Sequence, residues 1–233
     1  MTTREIIIKV KKRVNKDDTN DFDNLSLFSI IEAYNKAQLN VVNYLSGLNN
    51  IYKSGIESTT KRIDNLSTLL NPTPLELTLT KADNYYISQS FPTNYMRYVS
   101  SYSTGKNNKC SSKRILHFPY EEGNIELINR NSNQNASFEW GEAPITIADN
   151  KLKIHSNNQF EITKAYLTYL KYPVNIDIQG YIKQDGTPST TIDPELPDDV
   201  VEMCIDEAVR ILQGDIQNPL GIQVAMQNIQ RNE

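Results

Sequence analysis

The sequence predicts an α+β protein in which N- and C-terminal helices form one helical core around a central antiparallel β-sandwich or barrel-like insertion. Two patterns support this class. Apolar residues recur at helical spacing at both ends of the chain, whereas the middle alternates apolar and polar residues between polar turns. We therefore expect an N-terminal helical region (1–72), a β-rich domain (73–190), a C-terminal helix that packs on the N-terminal helices (191–216), and an extended tail (217–233).

A short amphipathic helix is expected first. Thr2 or Thr3 can cap it, and Glu5 lies in its first turn, where a negative charge is favourable. The apolar residues of one face are Ile6, Ile7, Val10 and Val14, and the basic residues of the opposite face are Lys9, Lys12, Arg13 and Lys16. The basic face is a candidate for contact with DNA in a channel, and the alternative is an ordinary solvated helix face.

A longer helix follows an acidic loop at 17–24. Its apolar positions run from Leu27 to Tyr52 at helical spacing, and Gly47 and Gly55 weaken it near its end. The segment Asn71–Pro74 ends the helical region, because proline lacks an amide donor and disfavours helix before it.

The middle of the chain predicts many short strands. Leucines alternate with polar residues at 75–80, and Asp149-Asn150 is a two-residue turn between two strand candidates. The strand candidates are Leu75–Leu79, Tyr85–Ser90, Tyr95–Tyr102, Arg114–Phe118, Ile125–Ile128, Ser137–Trp140, Ile145–Ala148, Lys151–His155 and Phe160–Tyr172. Polar loops are expected at Ser103–Ser112 and Asn129–Asn135.

The last helix is predicted to begin near Pro197 and to end at about Gly214. The tail beyond it is polar with sparse apolar residues, so we expect it to gain order on a partner, and the alternative is a frayed terminus. The candidate docking residues of this tail are Pro219, Leu220, Ile222, Met226 and Ile229.

Composition narrows the function classes. A net charge of −4 argues against a nucleic-acid binder that works through its overall field. Cys110 and Cys204 are far apart, and neither has metal-ligand spacing around it, so a reducing cytoplasm suits the chain. No apolar run reaches membrane-spanning length, and we expect no membrane association.

No catalytic signature is present. The sequence lacks the glycine patterns of nucleotide sites, zinc-protease motifs and a nucleophile elbow. Of the two histidines, His117 is expected to pack within a strand and His155 to lie on the surface. We therefore expect a non-enzymatic protein with no catalytic, cofactor or metal site and no cofactor.

One acidic and aromatic group keeps a second function open. Glu139 and Glu142 flank Trp140, and two carboxylates beside an aromatic platform are typical of glycosidases. With Tyr85 and Tyr86, this group could serve a tail-associated carbohydrate-binding or depolymerising module built on the β-rich domain. The alternative for Trp140 is a core or interface aromatic residue.

The helical regions resemble a known family. The opening Thr2–Ile7 through Val10 and Val14, the acidic loop, and Leu27–Leu48 with Asn35 and Asn43 look like the start of head-to-tail adaptor proteins of short-tailed phages. The segments Leu167–Pro173 and Leu196–Asp199, with the helix to Leu212, are similar to the strand, Leu-Pro junction and closing helix of those adaptors. The stretch Tyr166–Pro173 also resembles neck ring proteins of crAss-like phages.

The resemblance implies a structural virion protein of the phage neck, made in the host bacterial cytoplasm. Such a protein forms a homo-oligomeric ring, of twelve subunits where it follows portal symmetry, and it connects the portal to the tail. Its partners would be the portal protein, other neck or tail proteins, and DNA in transient, non-specific passage. A minor capsid or internal cargo protein is a third possibility.

Overall fold

The computed structural model describes residues 1–15, 25–46, 64–108, 110–183 and 186–215, together with Gln223, Met226 and Gln227. It divides the chain into two compact units. The helical unit comprises 1–69 and 172–233, and the β-rich unit comprises 70–171. The mixed helix-and-strand class is thus as predicted. Residues 172–190, which the sequence assigned to the β-rich domain, lie in the helical unit.

The helices are α1 (Thr3–Asn15), α2 (Leu27–Ser46), α3 (Ile125–Arg130) and α4 (Asp198–Asp215). Helix α1 begins with a capping box, because the Thr2 amide donates to the Glu5 carboxylate (2.8 Å) and the Glu5 amide donates to the Thr2 hydroxyl (3.4 Å). Thr3 anchors the same end, since its hydroxyl donates to the Ile192 carbonyl at 2.7 Å.

Helices α1 and α2 both contact α4. Each places an apolar stripe at helical spacing in the shared interior. The fully buried side chains of this interior include Ile6, Val10, Ile30, Tyr34, Val42, Val200, Val201, Cys204, Ile205 and Ala208. The described part of α2 ends at Ser46, so the predicted extension to Tyr52 lies outside the described residues.

The segment that precedes α4 is fastened to α2 by side-chain amides. Asn35 donates to the Ile176 carbonyl (3.2 Å) and accepts from the Ile176 amide (2.9 Å), as a neighbouring strand would. Gln38 donates to the Val174 carbonyl at 3.0 Å. These bonds satisfy backbone groups that have no strand partner, and they explain why this segment belongs to the helical unit.

The β-rich unit contains one sheet with the strand order β1-β8-β4-β5-β6-β7-β3-β2. The strands are β1 (Leu75–Leu77), β2 (Leu79–Lys81), β3 (Tyr85–Ser88), β4 (Tyr95–Asn107), β5 (Cys110–Pro119), β6 (Glu142–Ala148), β7 (Lys151–His155) and β8 (Glu161–Lys171). The two edge strands, β1 and β2, are separated in the chain by Thr78 alone, so the sheet curls into a nearly closed, barrel-like form.

One strand pair is parallel, which corrects the expectation of an antiparallel sheet. Strand β5 runs parallel to β6, with Leu116 opposite Glu142, and the other pairs are antiparallel. When β1 and β2 are counted as one continuous strand, the near-ring has seven members. A ring with an odd number of strands cannot alternate direction throughout, so one parallel pair is the geometric consequence.

The Asp149-Asn150 hairpin is confirmed. Both residues have positive φ (50° and 55°), as a type I′ turn requires, and they join β6 to β7.

Three other local predictions are wrong. Ile125–Ile128 belongs to α3, which buries Ile125 and exposes Leu127 on a single short turn of amphipathic helix. Ser137–Trp140 is a turn closed by a bridge from Ser137 to Glu142. The predicted loop at Ser103–Ser112 is instead mostly β4 and β5, because pairing of β4 with β8 and β5 outweighs the weak strand propensity of serine and glycine.

Candidate functional site

The basic face of α1 points at α4. Arg13 forms hydrogen-bonded ion pairs with Glu202 and with Asp206, each at 2.5 Å, and Lys9 also pairs with Glu202. Asp206 is buried, so its charge depends on this partner. Two of the residues predicted to contact DNA are therefore engaged within the helical unit.

In this cluster, the basic residues stabilise the charged form of Glu202. Burial alone would raise the pKa of Glu202, but the hydrogen bonds from Lys9 and Arg13 outweigh burial and hold that pKa below its usual value. The remaining candidates for DNA contact are Lys12, which has its own interaction partner, and Lys16, which lies outside the described residues.

The predicted docking residues of the tail fall mostly beyond the described residues. Pro219, Leu220, Ile222 and Ile229 lie outside them. Met226 is described, and 47% of it is exposed.

The residues proposed for carbohydrate binding are not all available at the surface. Tyr86 is buried in the core of the sheet, and the Tyr85 ring packs against the His155 ring with centroids 5.6 Å apart. Trp140 is different, because 80% of it is exposed, so it is not a core residue. Glu139 and Glu142 are exposed beside it.

The interior of the sheet holds a polar chain. His117 lies between two serine hydroxyls, with Nδ1 2.7 Å from Ser101 Oγ and Nε2 3.0 Å from Ser103 Oγ, and the Tyr98 hydroxyl is 3.1 Å from Ser101 Oγ. Burial lowers the pKa of His117 to about 3, so the ring is neutral at pH 7. The prediction that His117 packs within a strand is confirmed.

His155 is buried, which corrects its predicted surface position. It packs beneath Tyr85, and its Nε2 lies 3.3 Å from the Thr146 hydroxyl. Burial is the largest influence on His155 and lowers its pKa. His155 is the last residue of β7, and the neighbouring strand β3, which places Tyr85 opposite it, covers its side chain.

The outer face of the sheet carries an apolar and aromatic surface, which we call the outer strip: Tyr166 on β8, Tyr102 on β4, and Arg114, Leu116 and Phe118 on β5. Strand β5 buries Ile115 and His117 and turns the three alternate residues outward. Leu116 is 49% exposed and Phe118 is 42% exposed. An exposed pair of large apolar residues on adjacent positions of one strand face is typical of a surface that is covered by a partner.

The outer strip is ordered by ring stacking. The Tyr102 and Tyr166 rings stack with centroids 4.9 Å apart and an interplanar angle of 25°. The Arg114 guanidinium lies over the Tyr102 ring, 3.9 Å from its centroid. The strand order places Tyr102 between the other two side chains. Within the described part of the chain, Arg114 has no carboxylate partner.

A groove runs along α2 in the helical unit, and we call it the α2 groove. It has a volume of about 520 Å³ and lies between α2 and residues 175–192. Its apolar lining consists of Phe28, Ile31, Leu39, Ile176 and Ile192, and its charged lining consists of Glu32, Lys36, Asp177 and Lys183. The exposed surface of the lining is mainly apolar, with a few polar groups, as is typical of binding grooves.

One wall of the α2 groove is an irregular hairpin pinned by Asp177. This buried carboxylate accepts from the Tyr181 hydroxyl (2.6 Å), the Lys183 ammonium (2.8 Å) and the Thr190 amide (3.3 Å). Burial alone would raise the pKa of Asp177, but these hydrogen bonds outweigh it and keep the pKa below its usual value. At neutral pH, Asp177 therefore holds Tyr181, Lys183 and Thr190 in place as a charged acceptor.

Three other features would indicate a different kind of site: a metal-binding cluster, a membrane-spanning helix and a reactive thiol. Across the described ranges, no group of three or more His, Cys, Asp or Glu side chains is arranged to hold a metal ion. In the same part of the chain, no helix is both long and apolar enough to cross a membrane. Cys110 and Cys204 are free thiols, and burial raises the pKa of Cys204 to about 12, so that thiol is unreactive.

Comparison with known proteins adds no assignment. A scan against protein-family models and a search of curated proteins each found no match to this sequence.

Proposed function

We propose that this chain is a structural subunit that assembles with other protein subunits in the neck of a tailed phage, where it connects the portal to the tail. The observation that carries the proposal is the outer strip. It combines Tyr, Phe and Arg side chains, which are residue types enriched at protein interfaces, with the exposed Leu116 on one sheet face. The resemblance of the helical segments to head-to-tail adaptors supplies the class of assembly.

The helical unit supports the same role. In the proposal, helices from both ends of the chain form one rigid core for a ring subunit, with the β-rich unit as its insertion. The ion pairs of Lys9 and Arg13 with Glu202 and Asp206 tie the first helix to the last. A ring subunit under mechanical load needs such ties, because neighbouring subunits pull on both ends of the chain.

The pairing of α1 with α4 changes the proposed route of DNA contact. Lys9 and Arg13 already neutralise carboxylates, so α1 has less free positive charge to offer to phosphates. A channel lining that does not grip DNA suits passage, and the proposal needs no specific DNA site.

The experiment that tests the proposal is a copy-number measurement in purified virions of the phage that encodes this chain. Quantitative mass spectrometry would compare the amount of this protein with the amount of the portal protein. We expect a one-to-one or small integer ratio. A capsid-like excess, a ratio typical of tail fibres, or absence from the virion would contradict a neck subunit.

Trp140 supports a second candidate function, in which the chain is a tail-associated carbohydrate-binding module. An indole that is 80% exposed beside two exposed carboxylates is a platform on which a sugar ring could stack. We expect glycan-array binding by the full chain, lost in Trp140→Ala, if this function holds. No binding across a broad glycan panel would remove it.

A further inference from the structure

Among the residues that the structure describes, two surfaces of matching chemistry have no covering element, the outer strip on the β-rich unit and the α2 groove on the helical unit. The outer strip is mainly apolar and carries one cation, Arg114, which stacks on Tyr102 and has no carboxylate partner in the described part of the chain. The α2 groove is apolar with one exposed anion, Glu32, that has no ion-pair partner within the described ranges. We propose that the outer strip of one copy of this chain docks in the α2 groove of a second copy, with Arg114 of the first facing Glu32 of the second. This inference rests on the proposed function as an assembling subunit.

Net charge favours this pairing over contacts between like units. Residues 70–171 contain 11 Lys and Arg against 9 Asp and Glu, a net charge of +2. Since the whole chain carries −4, the rest of the chain carries −6. The β-rich unit of one copy is therefore attracted to the helical unit of another, and two helical units repel each other.

The charged lining of the groove leaves Glu32 as the available anion. Lys183 is occupied by Asp177, with 2.8 Å between their charged atoms. Lys36 is close enough to Glu207 to lower the pKa of that carboxyl, so part of its charge is already offset. When the outer strip of one copy covers the α2 groove of another, Arg114 and Glu32 are the two opposite charges that can form an ion pair across the interface.

The two surfaces also match in length. The three outward residues of β5, from Arg114 to Phe118, span roughly 13 Å at the rise of a β-strand. The groove-lining residues of α2, from Phe28 to Leu39, span roughly 16 Å at the rise of an α-helix. The row Arg114, Leu116 and Phe118 can therefore lie along most of the groove, with Arg114 near one end.

The geometry of the strip favours protein over nucleic acid as the occupant. Tyr102 lies between Tyr166 and Arg114, so both neighbours use its ring and leave little open face on which a base could stack. What the strip offers instead is aliphatic and aromatic edge surface around one guanidinium, which suits a protein groove.

The proposed interface is heterologous, since it joins two different surfaces. Each copy contributes its strip to one neighbour and its groove to the other, and a constant rotation between copies closes such a chain into a ring. The β-rich insertion would then have a defined task, which is to bridge neighbouring subunits.

The test is self-association of the full chain, measured by sedimentation velocity from about 1 µM to about 1 mM in low-salt buffer. We expect wild-type protein to associate, and Arg114→Glu or Glu32→Arg to weaken the dissociation constant by about tenfold or more. The variant with both changes should regain most of the affinity, because every interface then has its charges reversed together. Higher salt should weaken the wild-type association.

The matched control is Arg130→Glu, which makes the same charge reversal at an exposed arginine on α3. We expect it to leave the association unchanged, and circular dichroism should show every variant folded. Wild-type protein that stays monomeric at 1 mM would overturn the inference. So would association that is insensitive to both reversals, or double reversal without recovery. None of these three results bears on the virion copy number, so the proposed function is tested separately.

Discussion

The helical unit and the β-rich unit use their polar side chains in opposite ways. In the helical unit, charged residues join elements across the surface, as Arg13 does between α1 and α4. In the β-rich unit, polar residues such as His117 and Ser103 occupy the interior, and Leu116 and Phe118 on the same strand face outward. At residues 116–118, strand β5 is thus inverted relative to the usual pattern of a sheet with one solvated face, while Ile115 of the same strand packs in the apolar core.

The difference indicates which unit carries the exposed interface. A sheet that buries serine and histidine while it exposes leucine and phenylalanine gives up part of the stabilisation that burial of those apolar side chains would provide. Such an arrangement is reasonable when the outward residues are covered in an assembly. In the helical unit, by contrast, the apolar stripes of α1, α2 and α4 are buried, and Lys9 and Arg13 of α1 are paired with Glu202 and Asp206 of α4.

The largest expected effect concerns the ion-pair cluster of the helical unit. Arg13→Met removes the ion pairs of Arg13 with the buried Asp206 and with Glu202, and it should lower the free energy of unfolding by about 3 kcal/mol. Chemical denaturation followed by circular dichroism at 222 nm measures this change. Lys11→Met, which removes an exposed cation from the same helix, should cost less than about 0.5 kcal/mol. Equal effects of the two substitutions would mean that the cluster does not stabilise the unit.

The polar interior of the β-rich unit should make it sensitive to mild acid. The pKa of His117 is about 3 in the folded chain and about 6.5 in the unfolded chain, so the unfolded state binds the proton first as pH falls. The stability contribution is complete above pH 6.5 and is lost as pH falls towards 3, with about 2 kcal/mol lost between pH 7 and pH 5. His155 adds a loss of the same sign.

Hydrogen exchange of peptides from β4 and β5 at pH 7 and pH 5, corrected for intrinsic rates, measures this loss. His117→Gln keeps hydrogen-bonding groups between Ser101 and Ser103 but does not titrate, so its β4 and β5 peptides should lose much less protection. A wild-type chain with the same protection at both pH values would contradict the account of the interior.

A smaller effect is expected at the hairpin that walls the α2 groove. Asp177→Ala leaves Lys183 and the Tyr181 hydroxyl without their acceptor and should reduce the local opening free energy of residues 177–192 by about 1–2 kcal/mol. Exchange protection in this segment should fall, while protection in α4 is retained. Asp177→Asn preserves an acceptor, so the exchange protection of this segment should lie between that of the wild-type chain and that of Asp177→Ala. A uniform loss across the helical unit would show that the hairpin does not open on its own.

The smallest effect on stability should come from the outer strip. Phe118→Thr replaces an exposed side chain with another residue that favours strands, so the unfolding free energy should change by less than about 0.5 kcal/mol. The inward neighbour provides the contrast, since Ile115→Thr should cost about 3 kcal/mol by placing a hydroxyl and a cavity in the core. Comparable losses at both positions would show that Phe118 is part of the folded core.

Sequence periodicity predicted α1, α2 and α4 well because their apolar stripes are long, whereas the six-residue α3 was predicted as a strand. The stripe of α1, from Ile6 to Val14, is buried as expected. The β region was harder, because strand pairing across the chain decides it. The end of β4 and the start of β5 looked like a polar loop in the sequence, but β4 pairs with β8 and with β5 there.

The functional surfaces were less predictable for the same reason. The alternation of His117 with Leu116 and Phe118 is visible in the sequence, but hydrophobicity alone would turn the leucine and phenylalanine inward. The basic face of α1 was also visible, but its partners Glu202 and Asp206 are nearly 200 residues away. Only the fold brings such residues together.

The most direct test of the central claim is the solvent protection of the outer strip in the assembled virion. Hydroxyl-radical footprinting would compare oxidation of Leu116, Phe118 and Trp140 in purified virions with oxidation in the free protein. We expect strong protection of Leu116 and Phe118 on assembly, with Trp140 as an exposed reference on the same unit in the free protein. Equal oxidation of Leu116 and Phe118 in the virion and in the free chain would contradict the claim that this surface is built for assembly.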